Sequence, residues 1–397
     1  MYDVAVAGAG PAGNMAALRM AERGMKVAVI DWRVDVGNKL CTGIVGKECV
    51  EHFPVDESLV YHAATGATVV SPGGARYTVR RQEAQAYVLD RAAYIRGFAE
   101  QAQAAGAEYM LGPRIHGIDM TGDGVTLTLR NESSTETLRA QALVIASGFG
   151  TPLLRMSGLD ANKREEYLVG CQALVECGDL ERTEVYAGDK VAQGSFGWLV
   201  PVGGSMALAG AVSRNNPGPR FKTWLEQLQL SGKVRTVETQ TQNWGIPIRP
   251  LPKTYGDRVL AVGDSAGLVK PLTGGGIYYA LRSGAFAAET LCEAAASGDF
   301  SSRGLQEYER RWKDLLAKEL RIGYYGRLIY ETLDDNQIEK LMAEFLSEDV
   351  LSKLLDADDF SFDWHSRVIA KALRIRNLST MLRSFGPVVS SVLSRMW

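Results

Sequence analysis

The chain has 397 residues, of which 46% are hydrophobic and 23% are charged, so it is long enough for two or three domains with a sizeable core. Its 44 basic and 46 acidic residues leave a formal net charge of −2, which gives no reason to expect nucleic acid as a partner. The five cysteines are scattered without a CxxC pair, a pattern that disfavours a metal site and a disulfide framework. Because the sequence also shows no signal core and no apolar run of membrane-spanning length, we expect a protein of the reducing cytoplasm.

The first predicted unit is a β-α-β fold over residues 2–31, YDVAVAGAGPAGNMAALRMAERGMKVAVID. A β-rich run leads into a glycine cluster and an alanine-rich helix, Gly24 stops the helix, and a second apolar run ends in Asp31. Glycines at GxGxxG spacing allow a tight turn, the approach of a pyrophosphate, and close packing of helix on strand. The cofactor-binding residues predicted in this turn are Gly8, Gly10, Ala12 and Gly13.

Two features of this unit predict that it binds a dinucleotide. The helix N-terminus offers N–H groups and a partial positive charge to phosphates. Asp31 ends the second strand, where its carboxylate can accept hydrogen bonds from both hydroxyls of an adenosine ribose, and we group the adjacent Trp32 with it. A free 2′-hydroxyl favours FAD or NAD over NADP. A turn with incidental glycines is the alternative, but strand, turn, helix, strand and acid all stand at the required offsets.

A second glycine cluster follows a strand and an acid in the segment DRVLAVGDSAGLVKPLTGGGI, residues 257–277. Glycine at a helix start costs backbone entropy, so three in succession indicate that something lies against that backbone. A tight junction between strand and helix is the alternative. The residues assigned to this second motif are Gly263, Asp264, Gly274, Gly275, Gly276 and Ile277.

This second motif resembles the second FAD fingerprint of the glutathione-reductase-like flavoproteins, in the branch that holds aromatic hydroxylases and prenyl reductases. The resemblance implies that Asp264 contacts the ribityl chain. It also implies that the helix after the glycines aims its N–H groups at the N1–C2=O edge of the isoalloxazine, which is negatively charged in reduced flavin. In the stretch YVLDR, the resemblance further implies that Arg91 reaches back to FAD, with an exposed first-turn arginine as the alternative.

The order of the motifs is similar to that of the geranylgeranyl reductases, flavoproteins that hydrogenate isolated C=C bonds of prenyl chains. DWRVDVGNKLCTGIVGK resembles the family's stretch that leads into a cysteine beside the flavin, which places Cys41 there. GSFGWLVPVGG resembles the strand that walls the active cavity, which places Phe196 and Trp198. PLTGGGI is close to the family's own glycine helix start.

The resemblance implies that hydride passes from flavin N5 to one alkene carbon while a proton reaches the other. Thiols are ordinarily protonated at neutral pH, so Cys41 is our candidate for donating or positioning that proton, with a small packed side chain as the alternative. Phe196 and Trp198 would wall a channel for the hydrophobic prenyl substrate, with simple core packing as the alternative.

Two departures from related patterns bear on the reaction. Ser147 stands where the wider family has an aspartate, which leaves the electron donor open among NADPH, ferredoxin and other donors. Ser265 and Tyr278 lie in places where the aromatic hydroxylases carry other residues, which favours a reductase. The alternatives that stay open are a flavin-dependent monooxygenase or halogenase and a flavoprotein quinone oxidoreductase.

We therefore expect an α/β protein with a Rossmann-like FAD-binding domain, an antiparallel-sheet substrate domain and a C-terminal helical region. The FAD-binding domain is expected to comprise residues 1–60, 85–160 and 251–299, the substrate domain 61–84 and 161–250, and the helical region 300–397. The tail over 367–397 carries six basic residues and no acid. It is expected either to dock on the body as a helix or to contact anionic lipid on the inner face of the membrane.

Overall fold

The structure is a computed structural model, and it describes residues 1–159, 166–178, 180–347, 350, 361–374, 380, 385–387, 389 and 391–392. The strands, numbered in chain order, are β1 (Tyr2–Ala7), β2 (Val27–Asp31), β3 (Ile44–Gly46), β4 (Val60–Ala64), β5 (Gly66–Val70), β6 (Arg76–Arg80), β7 (Ala86–Leu89), β8 (Glu108–Leu111), β9 (Arg114–Thr121), β10 (Gly124–Arg130), β11 (Thr135–Ile145), β12 (Tyr167–Cys177), β13 (Thr183–Ala187), β14 (Phe196–Pro201), β15 (Met206–Ser213), β16 (Val234–Val237), β17 (Gln242–Pro247), β18 (Tyr255–Gly256) and β19 (Val259–Ala261). The α-helices are α1 (Pro11–Ala21), α2 (Lys47–His52), α3 (Arg91–Ala104), α4 (Leu153–Met156), α5 (Gly218–Leu230), α6 (Ile277–Ser297), α7 (Ser302–Glu331), α8 (Asp335–Phe345) and α9 (His365–Arg374).

The chain forms two compact units, each assembled from three segments. The first unit comprises Met1–Lys39, Arg91–Glu166 and Pro247–Leu320. The second comprises Leu40–Asp90, Tyr167–Ile246 and Arg321–Trp397.

These units differ from the predicted domains at residues 40–60, which the sequence assigned to the FAD-binding domain, and at residues 300–397, which are divided between the two units. The structure includes this stretch in the second unit, where β3 and β4 both pair with β7 in a small antiparallel sheet. Residues 300–320, predicted as part of a separate helical region, belong to the first unit.

The first unit is built on a mainly parallel sheet with the strand order β18-β19-β11-β1-β2-β8. Strands β19, β11, β1, β2 and β8 are parallel, β18 pairs antiparallel at one edge, and β10 and β9 extend antiparallel from β11. The central strands are almost wholly buried, as their continuous apolar sequences predict. The predicted Rossmann-like α/β class is confirmed.

Helix α1 packs against both α3 and α6 on this sheet. Small residues make the approach to α6 close, because a side chain at Gly284 would collide with the backbone of Ala12. A Cβ at Gly263 would lie 3.1 Å from the Cβ of Ala12. The helix of the first glycine motif therefore lies against both the turn and the helix of the second.

The second unit is built on a sheet with the order β16-β12-β15-β14-β13-β5-β6, and β17 also pairs with β12. Strands β12, β15, β14 and β13 are antiparallel neighbours, as the sequence predicted, whereas β13 and β5 are parallel. Because side chains alternate along a strand, Leu199 points to one face of β14 and Trp198 to the other. Phe221 and Trp224 of α5 bury the Leu199 face.

Helix α7 contributes to the core of each unit through different residues. Within the first unit, the Tyr308 hydroxyl donates to the Ala261 carbonyl at 2.8 Å, and Trp312 Nε1 donates to Thr254 Oγ1 at 2.9 Å. Within the second unit, Ile322 and Ile329 join a buried cluster with side chains of α8 and α9. Part of the helical region predicted over 300–397 lies outside the described residues.

Candidate functional site

The first glycine turn joins β1 to α1 at the carboxyl edge of the parallel sheet. Gly8 has a φ of +119°, and a side chain there would collide with the Ala146 carbonyl. A side chain at Gly13 would collide with the Gly8 carbonyl. Both glycines are thus required by packing within the protein.

Gly10 differs, because a Cβ built there meets nothing within 4 Å. It is the N-cap of α1 and provides no side-chain cap, and Pro11 occupies the first turn. The N–H groups and positive end of α1 therefore face open space that an anionic group can enter.

Asp31 ends β2 beside this turn, with its side chain only 12% exposed. One carboxylate oxygen accepts from the Ala9 N–H at 2.8 Å and the other from the Arg33 N–H at 2.9 Å. A carboxylate has about four acceptor positions, so these bonds orient Asp31 and leave capacity for ligand hydroxyls. Trp32 is exposed, and the guanidinium carbons of Arg33 and Arg114 each lie 4.3 Å from its ring centre.

Asn14 is a residue of this turn that the sequence reasoning missed. It is fully buried, and its amide nitrogen donates to the carbonyls of Ala9 and Ile95, both at 3.1 Å. Its oxygen accepts from the Tyr109 hydroxyl at 3.0 Å. A lone amide directly after the last glycine, inside an apolar helix, was the available signal that this side chain supports the turn.

The second glycine cluster is held by its own backbone. The N–H of Gly274 donates to the Lys270 carbonyl at 2.8 Å, and the Lys270 N–H donates to the Gly275 carbonyl at 3.0 Å. Gly276 is the N-cap of α6, without a side-chain cap, and Ile277 begins the helix. The structure thus has a second helix start without a side-chain cap.

Asp264 carries an ion pair that the sequence did not predict. It lies in the 3-10 turn Gly263–Ala266, which is tied to α6 by a 3.0 Å bond from the Gly263 N–H to Ser283 Oγ. Lys39 Nζ lies 2.7 Å from one Asp264 carboxylate oxygen. The other oxygen faces the start of α6, 3.1 Å from where a Cβ of Gly276 would lie. A lysine therefore sits beside the acid predicted to contact the ribityl chain.

Arg91 begins α3 and holds the loop that presents Lys39. Its guanidinium donates to the Gly37 carbonyl at 2.6 Å and also to the Lys39 carbonyl. Gly37 has a φ of +87°, and a side chain there would press on the Ala92 backbone. Arg91 is therefore not a free surface arginine, because its described contacts hold the backbone of this loop.

A cavity of about 180 Å³ lies against the Asp264 turn in the first unit. Its lining includes Gly148, Arg249, Asp264 and Ser265. Ser265 Oγ accepts from the Gly148 N–H at 2.9 Å and donates to the Gly148 carbonyl at 3.0 Å, which fixes this wall. Ser147, which replaces the family acid, instead shares a 2.7 Å hydrogen bond with Thr151.

The residues of the first unit fit a bound dinucleotide. They provide an open, side-chain-free helix start at Gly10, an oriented carboxylate at Asp31, and a second uncapped helix start at Gly276. Packing through Ala12 brings the two motifs together although about 250 residues separate them in the sequence.

The second unit carries the predicted aromatic residues on the sheet face opposite α5. Phe196 and Trp198 lie there with ring centres 5.9 Å apart. The Trp198 ring covers Gly210, its neighbour in register on β15, and the Trp244 ring covers Gly170 of β12 in the same manner. We call this surface the aromatic face. Among the described residues, no acceptor bonds the buried Nε1 of Trp198.

The loop that holds Cys41 reaches this aromatic face. The Thr42 hydroxyl donates to the side-chain oxygen of Gln172 at 2.8 Å, and Gln172 opposes Gly210 in the sheet register. Cys41 is half-buried. Cys171, by contrast, points to the α5 face, where burial raises the pKa of its thiol to about 12. Phe196 and Trp198 thus lie on the sheet face that Thr42, the neighbour of Cys41, contacts through Gln172.

Comparison with known proteins identifies the family. The profile of the pyridine nucleotide-disulphide oxidoreductases matches residues 2–206, more than half of the chain. A digeranylgeranylglycerophospholipid reductase of Methanosarcina acetivorans is 30% identical over 94% of this chain and 97% of its own length. One of Methanocaldococcus jannaschii is 30% identical over 88% of this chain and 91% of its own length. The chain belongs to the geranylgeranyl reductase family.

Solved structures give the same fold. A geranylgeranyl bacteriochlorophyll reductase-like protein of Thermoplasma acidophilum superposes on this chain with a TM-score of 0.85 at 24% identity. The superposition covers 97% of this chain and 99% of the Thermoplasma chain. A halogenase in complex with FAD superposes with a TM-score of 0.68 at 16% identity, over 99% and 94% of the two chains. At these identities the likeness establishes the fold alone.

Proposed function

We propose that this chain is an FAD-dependent reductase that hydrogenates isolated C=C bonds of prenyl chains of the geranylgeranyl type, carried on a lipid or a diphosphate. The observation that carries the proposal is the near full-length relationship to digeranylgeranylglycerophospholipid reductases. The open helix start at Gly10 supports the cofactor, and the aromatic face, built over glycines, supports an apolar substrate.

The reaction adds a hydride, which is one hydrogen with an electron pair, and one proton across the double bond. An isolated alkene has no carbonyl to polarise, so the two transfers must be nearly concerted. Reduced FAD, when bound, supplies the hydride and is oxidised as the alkene is reduced. Cys41 Sγ would donate the proton to the other carbon and regain one from water, so that atoms and charge balance.

The side chains of the aromatic face would bind the prenyl chain and exclude water. Phe196, Trp198 and Trp244 offer large apolar surfaces with little rotamer entropy to lose.

The decisive experiment is anaerobic turnover with the electron donor bypassed. The bound flavin is photoreduced, geranylgeranyl lipid is added, and flavin reoxidation is followed with mass spectrometry of the lipid. We expect reoxidation together with the mass gain of H₂ for each reduced bond. Flavin that stays reduced until air is admitted would support a monooxygenase or halogenase instead, and reoxidation by menaquinone alone would support a quinone oxidoreductase.

A pair of cysteine variants tests the proton donor. Cys41 and Cys292 are both half-buried thiols, so Cys292→Ala is a matched control for Cys41→Ala. We expect Cys41→Ala to lower the rate of lipid-dependent reoxidation by about 10²-fold, the usual contribution of a general acid, and Cys292→Ala to leave it unchanged. Equal rates for the two variants would remove Cys41 from the reaction.

We also propose that the basic tail over 367–397 contacts anionic lipid through charge. Ala372 of α9 is buried in a cluster with α7 and α8, and the Ile369 side chain packs near Gly326. Because that apolar side is occupied within the protein, contact through basic residues such as Arg367 should be electrostatic. No described helix is long and apolar enough to cross a membrane.

Sedimentation with vesicles tests this contact. We expect binding to vesicles that contain phosphatidylglycerol, no binding to purely zwitterionic vesicles, and release at about 1 M salt, where the screening length falls to about 3 Å. Binding that survives high salt would instead indicate insertion of apolar side chains.

A further inference from the structure

The Cys41 loop is anchored immediately after its cysteine at two successive residues. The Thr42 hydroxyl donates to Gln172 Oε1 at 2.8 Å. The carbonyl of Gly43, which has a φ of +77°, accepts from the Leu89 N–H at 3.0 Å. The second anchor is backbone to backbone and depends on no side chain, whereas the first depends on two particular side chains.

Gln172 is placed where this anchor matters. It is 4% exposed, lies in the middle of β12, and points to the aromatic face rather than into the core under α5. Its partner across the sheet is Gly210, whose missing side chain makes room for the Trp198 ring. A buried polar side chain is costly unless it is hydrogen-bonded, and the side-chain oxygen of Gln172 accepts from the Thr42 hydroxyl.

From this geometry we infer that Thr42 and Gln172 are positioning residues for the reaction. Their hydrogen bond holds the Cys41 loop over the aromatic face. The Cys41 thiol therefore keeps one position relative to a prenyl chain bound against Trp198. The catalytic consequence rests on the proposed function, whereas the effect on the loop does not. Each residue acts through Cys41 and touches no reacting atom.

The first test measures the loop without substrate or turnover. In a Cys292→Ser background, which removes the other half-buried thiol, the rate of Cys41 alkylation by iodoacetamide is compared among Thr42→Val, Thr42→Ser and Gln172→Leu. We expect Thr42→Val and Gln172→Leu to raise the rate about fivefold, the factor that corresponds to one neutral hydrogen bond, and Thr42→Ser to stay within about twofold of the parent. Thr223→Val, in α5 on the opposite face, is the matched control and should change nothing.

The double variant Thr42→Val with Gln172→Leu separates positioning from general loosening. If both residues act through one bond, the double variant alkylates no faster than either single variant. Additive increases, or a Thr42→Ser variant as fast as Thr42→Val, would overturn the inference. Because Thr42 is only partly buried, Thr42→Val keeps the test available even if Gln172→Leu unfolds.

The second test measures the rate at which geranylgeranyl lipid reoxidises the photoreduced flavin without oxygen. We expect Thr42→Val to lower kcat about tenfold with KM nearly unchanged, and Thr42→Ser to restore it, because the loop places the proton and does not bind the chain. Altered alkylation with unaltered kcat would overturn the catalytic role of the pair. If the parent protein reduces no lipid at all, the proposed function fails, and the alkylation result still decides whether the pair holds the loop.

Discussion

Gly10 is the residue at which the protein and its cofactor place different demands on the sequence. Gly8 and Gly13 are surrounded by protein backbone, whereas a Cβ at Gly10 meets nothing within 4 Å. Its φ of −83° and ψ of −175° are accessible to alanine as well. Packing within the apoprotein therefore gives no reason for glycine here.

We accordingly predict that Gly10→Ala separates cofactor affinity from stability. The methyl group would occupy the space beside the α1 N–H groups, so FAD should bind at least tenfold more weakly, while the melting temperature of the apoprotein should move by no more than about 2 °C. FAD titration by fluorescence and thermal unfolding measure the two. Gly97→Ala, also without a neighbour within 4 Å but inside α3, should leave FAD affinity intact. Unchanged affinity in Gly10→Ala would place the phosphates elsewhere.

Glu184 is a buried carboxylate of the second unit that remains charged because of its hydrogen-bond donors. It is 4% exposed, and it accepts hydrogen bonds from Arg76 at 2.6 Å, from Lys233 at 2.9 Å, and from Tyr186. Burial alone would raise its pKa, but these three donors outweigh burial and hold the pKa below the usual value of 4.5. The charged carboxylate therefore stabilises the fold.

The sign of its pH dependence follows from that direction. Because the folded pKa lies below the unfolded one, the contribution is complete above the unfolded pKa and is lost as the pH falls through the folded pKa. We predict that Glu184→Gln lowers the free energy of unfolding by about 2 kcal/mol at pH 7, and that this deficit shrinks between about pH 5 and about pH 3. Urea unfolding measures it, with the exposed Glu226→Gln as control. A deficit that is constant with pH would show that shape, not charge, is responsible.

At the scale of single residues, the sequence predicted contacts that are local and missed contacts that are distant. The glycines and Asp31 stand within one supersecondary unit, so their spacing alone indicated their places. The partners Lys39 and Asp264 are 225 residues apart, and Thr42 and Gln172 are 130 apart. Sequence periodicity does not indicate such pairs, because they form only when the fold brings distant strands and loops together.

At the scale of elements, α2 shows a similar dependence on a distant segment. Gly46 is its N-cap and has no side chain to cap the helix. The Asp363 carboxylate, 1% exposed, lies where a Gly46 side chain would be and accepts from the Cys49 N–H at 3.3 Å. The helix start is thus satisfied by an acid more than 300 residues later.

We predict that Asp363→Asn destabilises α2 selectively. Loss of the charge at the helix start should lower the free energy of unfolding by about 1–2 kcal/mol and should speed hydrogen exchange at the amides of residues 47–52 more than elsewhere in the second unit. Asp123→Asn, in an exposed turn, is the control. Uniform acceleration across the unit would mean that Asp363 supports the core rather than the helix.

Strand recognition from the sequence succeeded where turns bracket apolar runs and failed where pairing is distant. The antiparallel sheet predicted within residues 161–250 is present and includes β12 to β15. Strands β3 and β7 fall in segments that the sequence assigned to the FAD-binding domain, and β4 falls almost wholly in the predicted substrate domain, yet β3 and β4 both pair with β7 inside the second unit. Three-residue and four-residue strands carry too little pattern to indicate their partners.

At the scale of the whole molecule, the cofactor motifs are concentrated in one unit. Both glycine clusters, Asp31, Arg91 and the Lys39–Asp264 pair belong to the first unit, although they come from its three separate segments. Phe196, Trp198 and Cys41 belong to the second unit. A ligand that binds the glycine clusters and Asp31 therefore contacts segments of the first unit that are far apart in the sequence.

This concentration predicts where FAD stabilises the protein. At a hundredfold excess over its Kd, FAD should raise the unfolding free energy of the unit it binds by about 2.7 kcal/mol. Hydrogen exchange followed by mass spectrometry should show slower exchange in peptides spanning residues 8–16 and 274–284, whose helix starts face the ligand, and little change in peptides of α5. Protection of the first peptide without the second would mean that the second glycine cluster does not contact the cofactor. The assignment of Asp264 to the ribityl chain would then fall, while the dinucleotide site at Gly10 would stand.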